Sequence, residues 1–266
     1  MDLGLQGRVA AVTGASRGLG SAIAEALLAE GCRVGICARK QSELDAAADR
    51  LKPTEQAGSS AGTDGAPSLF THAADVTVPG QVEEFVNLTA KVFGGLDILV
   101  HNAGSGGGAG LDAPDTEYTQ AFELNVLAGL RAARAAAPLM RQRGQGRIIF
   151  IASVYGRESG GRPGYNVAKA AEISLAKALS RELAKDKILV NSVAPGSLMF
   201  PGSSWERRQQ AHPQGIAAFV KSDLPLGRFG TPQEVAAVVT FLASDRASLV
   251  TGATWAVDGG QSRSLI

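Results

Sequence analysis

A serine, a tyrosine and a lysine stand at positions 153, 165 and 169 of this chain, in the run SVYGRESGGRPGYNVAK. Residues four apart on an α-helix share a face, so Tyr165 and Lys169 project together if a helix begins near Gly164. A phenol ordinarily keeps its proton up to a pKa of about 10 and is a poor acid or base at neutral pH. One positive charge about 4 Å away, at an effective dielectric near 20, is worth about 4 kcal/mol, or roughly three pKa units. A shift of that size poises a tyrosine for proton transfer near neutrality. The run reads as a tuned tyrosine if the rest of the chain supplies a reaction partner.

The start of the chain supplies one. Residues 8–13 (RVAAVT) favour a strand and pass into TGASRGLG and the helix-like SAIAEALLAE, closed by Gly31. Strand, glycine loop and helix in that order form the context in which glycines bind a dinucleotide. Gly14, Gly18 and Gly20 let bare backbone approach a pyrophosphate at the N-terminus of the following helix. Close packing of strand on helix is the other use such glycines have. A second strand, residues 33–38 (RVGICA), leads to Arg39, Lys40 and a helix from about Ser42. Where a Rossmann unit carries an acid for the ribose hydroxyls, this chain has Ala38 and then Arg39, and Arg17 in the glycine loop can lean the same way. Basic residues there accommodate a 2′-phosphate, so NADP(H) is expected in preference to NAD(H).

Residues 53–68 are rich in Gly, Ser and Ala and read as a mobile surface excursion within the domain. A third strand at 69–73 runs toward Asp75-Val76, a helix spans 79–93, and a fourth strand at 97–100 enters HNAG. A helical region from about residue 115 holds Asn125 and later Pro138, which should kink or end it. Residues 147–152 (RIIFIA) have the unbroken apolar character of a strand buried on both faces. That strand delivers Ser153 at its C-terminal end, where ligands bind in open α/β sheets. Beyond Tyr165, Val167, Ala171, Leu175, Leu179 and Leu183 form a packing ridge on four-residue steps. A strand at 188–194 ends in Pro195-Gly196, and a helix from about residue 231 precedes the last strand at 254–257. Seven strands alternating with about six helices, without a break in composition, predict one α/β domain over residues 1–266. It is a doubly wound Rossmann-type fold, with a seven-stranded parallel sheet and helices on both faces.

Composition narrows the classes of function. The 266 residues hold 45% hydrophobic and 19% charged side chains, which are globular values. With 26 basic and 25 acidic residues, the net charge of +1 gives no electrostatic case for nucleic acid or an anionic membrane. No apolar run approaches the ~18 residues of a membrane span, and the first residues lack a signal-peptide pattern, so a soluble cytoplasmic protein is expected. Cys32 and Cys37 read as buried small hydrophobes. No metal site is expected.

Together these residues resemble the short-chain dehydrogenase/reductase family over nearly the whole chain. TGASRGLG, with Gly14, Ser16, Arg17, Gly18, Leu19 and Gly20, is similar to the family's cofactor loop. Asp75-Val76 resembles the pair beside the adenine, and Asn102-Ala103-Gly104 its NNAG motif. Asn125, Ser153, Tyr165 and Lys169 match its catalytic tetrad, and Pro195-Gly196 the turn beside the nicotinamide. The segments APLMRQRGQGRII, LGRFGTPQEVA and TGATWAVDGG most resemble the 3-oxoacyl-(acyl carrier protein) reductase-like branch.

The resemblance implies a mechanism in which NADPH gives hydride to a substrate carbonyl and Ser153 hydrogen-bonds the oxygen. Tyr165 donates the proton, Lys169 lowers the phenol's pKa and holds ribose hydroxyls, and Asn125 anchors a water. It also implies a homotetramer packed through the helices carrying Asn125 and Tyr165. Two departures stand out: His101 replaces the first Asn of NNAG, and Phe200 replaces a Thr that bonds the carboxamide, leaving Ser197 or the backbone at Leu198 to do so. The run SGGGAG at 105–110 is expected to loosen one pocket wall, and residues 200–223, with Trp205, Arg207, Arg208 and Phe219, form the substrate lid. A small carbonyl or alcohol is the expected partner, a 3-oxoacyl thioester first. Another small ketone, sugar or cyclic alcohol is the alternative, and a non-catalytic NADP-binding regulator is the reading from a different class.

Overall fold

The computed structural model describes residues 2–51, 67–105 and 109–265. Residues 53–66 of the glycine-rich excursion, and 106–108 of SGGGAG, lie outside that set. Seven parallel strands form one sheet in the order β3-β2-β1-β4-β5-β6-β7, winding outward in both directions from β1 and β4. The strands are β1 (Val9–Thr13), β2 (Arg33–Ala38), β3 (Leu69–Ala73), β4 (Ile98–His101), β5 (Gly146–Ile151), β6 (Ile188–Pro195) and β7 (Thr254–Val257). The fold is the doubly wound one the sequence pattern requires. The central strands are buried on both faces, and their side chains alternate between two cores. Ala10 and Val12 belong to the core under α1 (Gly18–Ala29), α2 (Gln41–Leu51) and α9 (Pro232–Ala243); Val9 and Ala11 belong to the opposite one. That second core is covered by α3 (Gln81–Phe93), α5 (Ala128–Arg143) and α6 (Pro163–Leu183). Winding reverses between β1 and β4, and the loops leaving the C-terminal ends of those strands frame the crevice where such sheets bind ligands.

Three expectations need correction. Pro138 does not end its helix, because α5 runs through it to Arg143. Arg134 and Pro138 are both exposed, so the Arg134 carbonyl that loses its donor turns to water instead of being stranded. The interruption falls earlier, at a π-helical turn (Glu123–Leu127) between α4 (Asp115–Phe122) and α5. The buried face of α6 is also rotated from the expected ridge. Ala168, Glu172, Ala176 and Ser180 are buried, whereas Val167 is 59% exposed and Leu175 and Leu179 are only half-buried. The apolar pattern misled because two charged residues, Lys169 and Glu172, occupy the inward face. Finally, nine α-helices are present among the described residues, since the 115–143 region is two and the 200–223 segment folds as α7 (Ser204–Ala211) and α8 (Pro213–Asp223). No helix among the described residues is long and apolar enough to cross a membrane.

Candidate active site

The glycine loop leaves β1 with Gly14 and Gly18 at φ of 65° and 57°, a region that favours glycine. Each also needs its missing side chain. A Cβ on Gly14 would lie 2.8 Å from the Ala103 Cα, and one on Gly20 would lie 2.4 Å from the Gly14 carbonyl. Asn102 explains the closeness, for its Nδ2 donates to the carbonyls of Thr13 and Gly14 at 3.1 and 2.9 Å. The amides of Asn102 and Ala103 donate to Thr13 Oγ1 at 3.1 and 3.0 Å, stitching the loops after β1 and β4 together.

His101 is fully buried, with Nδ1 3.2 Å from Thr13 Oγ1 and an edge-on contact with Phe150. Burial, reinforced by the Lys169 charge, pushes its pKa down to about 3, so it is a neutral packing residue.

Arg39 is exposed at the C-terminal end of β2, and its charge helps hold Asp75 below the usual carboxylate range, after the hydrogen bond from Thr77. Asp75 is occupied locally, its Oδ1 accepting from the Thr77 hydroxyl and amide at 2.6 and 2.9 Å. Val76 beside it is buried. Ser16 is tied to the start of α2 through Glu43 at 3.4 Å, and its carbonyl accepts from Arg50 at 2.8 Å. Leu19 packs at the margin of the core beneath the loop.

At the other end of the crevice, Ser153 follows β5 and is 7% exposed, its Oγ accepting the Tyr155 amide at 3.2 Å. Pro163 opens α6 at a position that needs no amide hydrogen, which places Tyr165 in the first turn and Lys169 one turn on. Lys169 Nζ lies 5.9 Å from the Tyr165 ring centroid, so the two share a face. It donates to the Ile151 carbonyl at 2.8 Å, tying the helix to the strand that carries Ser153. Asn125 sits in the π turn, with Nδ2 donating to the Ala121 carbonyl at 2.8 Å and a buried Oδ1 that has no partner. A Cβ on Gly104 would lie 2.8 Å from that Oδ1 and 3.2 Å from Lys169 Nζ, so three of the motif positions converge there.

One residue escaped the sequence reading. Glu172 is fully buried and its Oε2 accepts from Lys169 Nζ at 2.8 Å. Burial raises its carboxyl to about 7 despite the lysine. Desolvation works against the Lys169 ammonium, yet Glu172 and Tyr165 outweigh it and leave its pKa above the ordinary value. A charged residue one turn beyond Lys169, within an otherwise apolar stretch, was the available signal.

On the facing wall, Pro195 closes β6 and Gly196 packs against Asp258 and Gln261. The Ser197 amide donates to Gln261 Oε1 at 2.7 Å, so it is already engaged. Leu198 bridges to Gly230 through the Ser197 carbonyl and the Met199 amide, which turns its own amide and carbonyl the other way. The Phe200 ring lies over the glycine loop, where a Cβ on Gly18 would come within 2.6 Å of it. Gly18→Ala therefore meets both a left-handed backbone and this ring. We expect thermal unfolding to show a Tm lower by about 2–6 °C, from roughly 1–2 kcal/mol of strain.

The aromatics of the 200–223 segment pack on each other and on Phe229. Trp205 and Phe219 stack at 4.6 Å, with Phe229 5.1 Å from Trp205. Arg208 lies over Trp205 at 4.9 Å and Arg207 donates to the Gly202 carbonyl at 2.7 Å, so both arginines are engaged within their own segment.

Among known proteins, the chain matches the family model described as enoyl-(acyl carrier protein) reductase over residues 14–262. It is 36% identical to 3-oxoacyl-(acyl-carrier-protein) reductase FabG of Escherichia coli over 263 residues, covering 97% of this chain and 98% of that protein. The structure of L-sorbose reductase from Gluconobacter frateurii, complexed with NADPH and L-sorbose, matches with a TM-score of 0.89 and 36% identity over 100% of both chains. A 7α-hydroxysteroid dehydrogenase complexed with NADH and 7-oxo glycochenodeoxycholic acid matches at 0.86 and 28% identity, covering 100% of this chain and 98% of that one.

Proposed function

The chain belongs to the short-chain dehydrogenase/reductase family, the NAD(P)-dependent oxidoreductases of CH–OH and C=O groups, and from that premise we propose that it reduces a carbonyl with NADPH, a 3-oxoacyl thioester being the first substrate class. The observation that carries the reading is Tyr165 and Lys169 on one face of α6, anchored through Ile151 to the strand that ends at Ser153. The crevice fits a dinucleotide. The glycine loop from Gly14 leads directly into the N-terminus of α1, where a pyrophosphate can rest, and the buried Asn125 Oδ1 beside Lys169 lacks a donor.

Bound NADPH supplies the hydride. The Ser153 hydroxyl then donates to the carbonyl oxygen as negative charge develops on it, and Tyr165 delivers the proton that completes the alcohol. The Lys169 ammonium stabilises the charge left on the phenol oxygen and keeps one N–H for a ribose hydroxyl. Arg17 and Arg39 would hold the 2′-phosphate, Asp75, Val76, Ala103 and Gly104 would contribute to the adenosine and ribose site, and the turn Pro195, Gly196 and Leu198 would hold the carboxamide, with the Leu198 backbone amide and carbonyl free of the bridge to Gly230. Phe200 brings no hydroxyl to that contact and instead covers the loop. The single-domain organisation, the cytoplasmic location and a homotetramer belong to the same reading. The tetramer is supported by exposed Val167 on α6 and by Phe122, 38% exposed, beside the π turn.

Resemblance to L-sorbose reductase and to a hydroxysteroid dehydrogenase supports a second reading, in which the substrate is a sugar or a cyclic ketone. NADPH oxidation with acetoacetyl thioesters beside steroid, quinone and sugar ketones separates the two, and oxidation with none of them returns the chain to a non-catalytic binder. Cofactor choice has its own test. Arg39→Asp should lower kcat/KM for NADPH at least about tenfold, the worth of one lost charge contact of ~1.4 kcal/mol, while NADH suffers less. An equal fall for both cofactors would remove Arg39 from the 2′-phosphate site.

A further inference from the structure

The proposed reaction makes no use of Glu172, yet its carboxylate lies at the heart of the site. It is 0% exposed, beside a Lys169 that is 3% exposed. Its Oε2 accepts from Lys169 at 2.8 Å, and its Oε1 has no hydrogen-bond partner. Lys169 Nζ has three N–H groups, and two are committed, to Glu172 and to the Ile151 carbonyl. The third borders the space at Gly104 shared with Asn125. A carboxylate enclosed this completely is costly to bury, so a packing role alone is better filled by an apolar side chain.

Resting on the reductase reading above, we propose that Glu172 is a positioning residue of the tyrosine–lysine pair: it fixes the ammonium and attenuates the field that Lys169 exerts on the Tyr165 oxygen. Opposite charges in contact act on a third group as a short dipole, whereas a lone ammonium acts as a full charge. Tyr165 therefore experiences the whole cation only when Glu172 carries a proton. Burial brings that proton's loss to about pH 7, so both states are reached near neutrality. On the π turn and α5, which pack against α6, Glu123 and Arg131 are charged but paired with each other. His101 on β4 is held neutral by burial, and Tyr155, in the turn after β5, is pushed up by burial. The Ile151 carbonyl and the Asn125 amide complete the polar surroundings without charge.

Glu172→Gln keeps the shape and an acceptor oxygen while deleting the charge. Two readouts are taken on it. The first is the phenol-to-phenolate absorbance titration of Tyr165, isolated by subtracting the same titration of Tyr165→Phe. The second is the pH profile of kcat/KM. In Glu172→Gln the phenolate midpoint should move about one pH unit or more to lower pH, and the kinetic limb should follow it. Glu172→Asp, with its charge one methylene further from the ammonium, should fall between wild type and Gln. A Gln variant that loses rate with an unmoved midpoint, or one that moves upward, overturns the proposal. If the Gln variant does not fold, Glu172→Asp decides alone, and a midpoint at or above wild type overturns it. A midpoint that moves in a protein reducing no carbonyl leaves Glu172's assignment standing and defeats the reductase reading instead.

Discussion

Replacing Tyr165 with Phe should remove turnover while leaving dinucleotide binding almost intact. The change deletes one hydroxyl from a half-buried ring in the first turn of α6 and leaves its packing in place. A Cβ on Gly161 would still meet the same ring edge at 3.2 Å, and Lys169 keeps its bond to Ile151. What disappears is the proton that completes the alcohol. A positioned general acid is worth about 10²–10⁴-fold in rate, so kcat should fall by at least that range. Steady-state kcat and the fluorescence of bound NADPH check the two halves separately. Retained turnover would take Tyr165 out of the chemistry, and lost NADPH binding would make its role structural.

Lys169→Met should cost both activity and stability, and the second loss should depend on pH. Without the ammonium, Glu172 is a buried carboxylate with no counter-charge, a situation that destabilises a fold by about 3–5 kcal/mol. Glu172 already has its pKa raised from 4.5 to about 7, by burial. A raised acid pKa means that the folded state binds the proton more tightly than the unfolded one. The associated stability is complete below 4.5 and is lost as pH climbs through about 7. In wild type the lysine offsets part of this loss, and in the Met variant nothing does. Chemical denaturation at about pH 5 and about pH 8 should therefore show a gap between the two proteins that widens toward the higher pH. A gap that is constant or narrows would mean that Glu172 does not carry the charge assigned to it. Glu172→Gln in the Met background should recover much of the loss.

How much of this was legible in the sequence depends on whether the signal was local. The glycine loop was readable because strand, bare backbone and helix follow one another within a dozen or so residues. Tyr165 and Lys169 were readable as neighbours because helical spacing alone decides it. Pro138 was not, since its cost depends on whether the freed Arg134 carbonyl meets water or protein, and that is set by tertiary packing. The face of α6 was misread for a related reason. Apolar periodicity assumes that charges point outward, and Lys169 and Glu172 satisfy each other inside. The π turn at Asn125 leaves no composition signature. The position of Phe200 over Gly18 joins residues far apart in sequence, and the sequence showed only that a hydroxyl was missing.

The most direct test of the account follows the hydride itself. NADPH carrying deuterium at the transferable C4 position is incubated with an acetoacetyl thioester, a sugar ketone and a steroid ketone, and the alcohols are weighed by mass spectrometry. The account predicts deuterium on the carbinol carbon of at least one product with the wild-type protein and none with Tyr165→Phe. A wild-type protein that binds the labelled NADPH and delivers its deuterium to no carbonyl would contradict it.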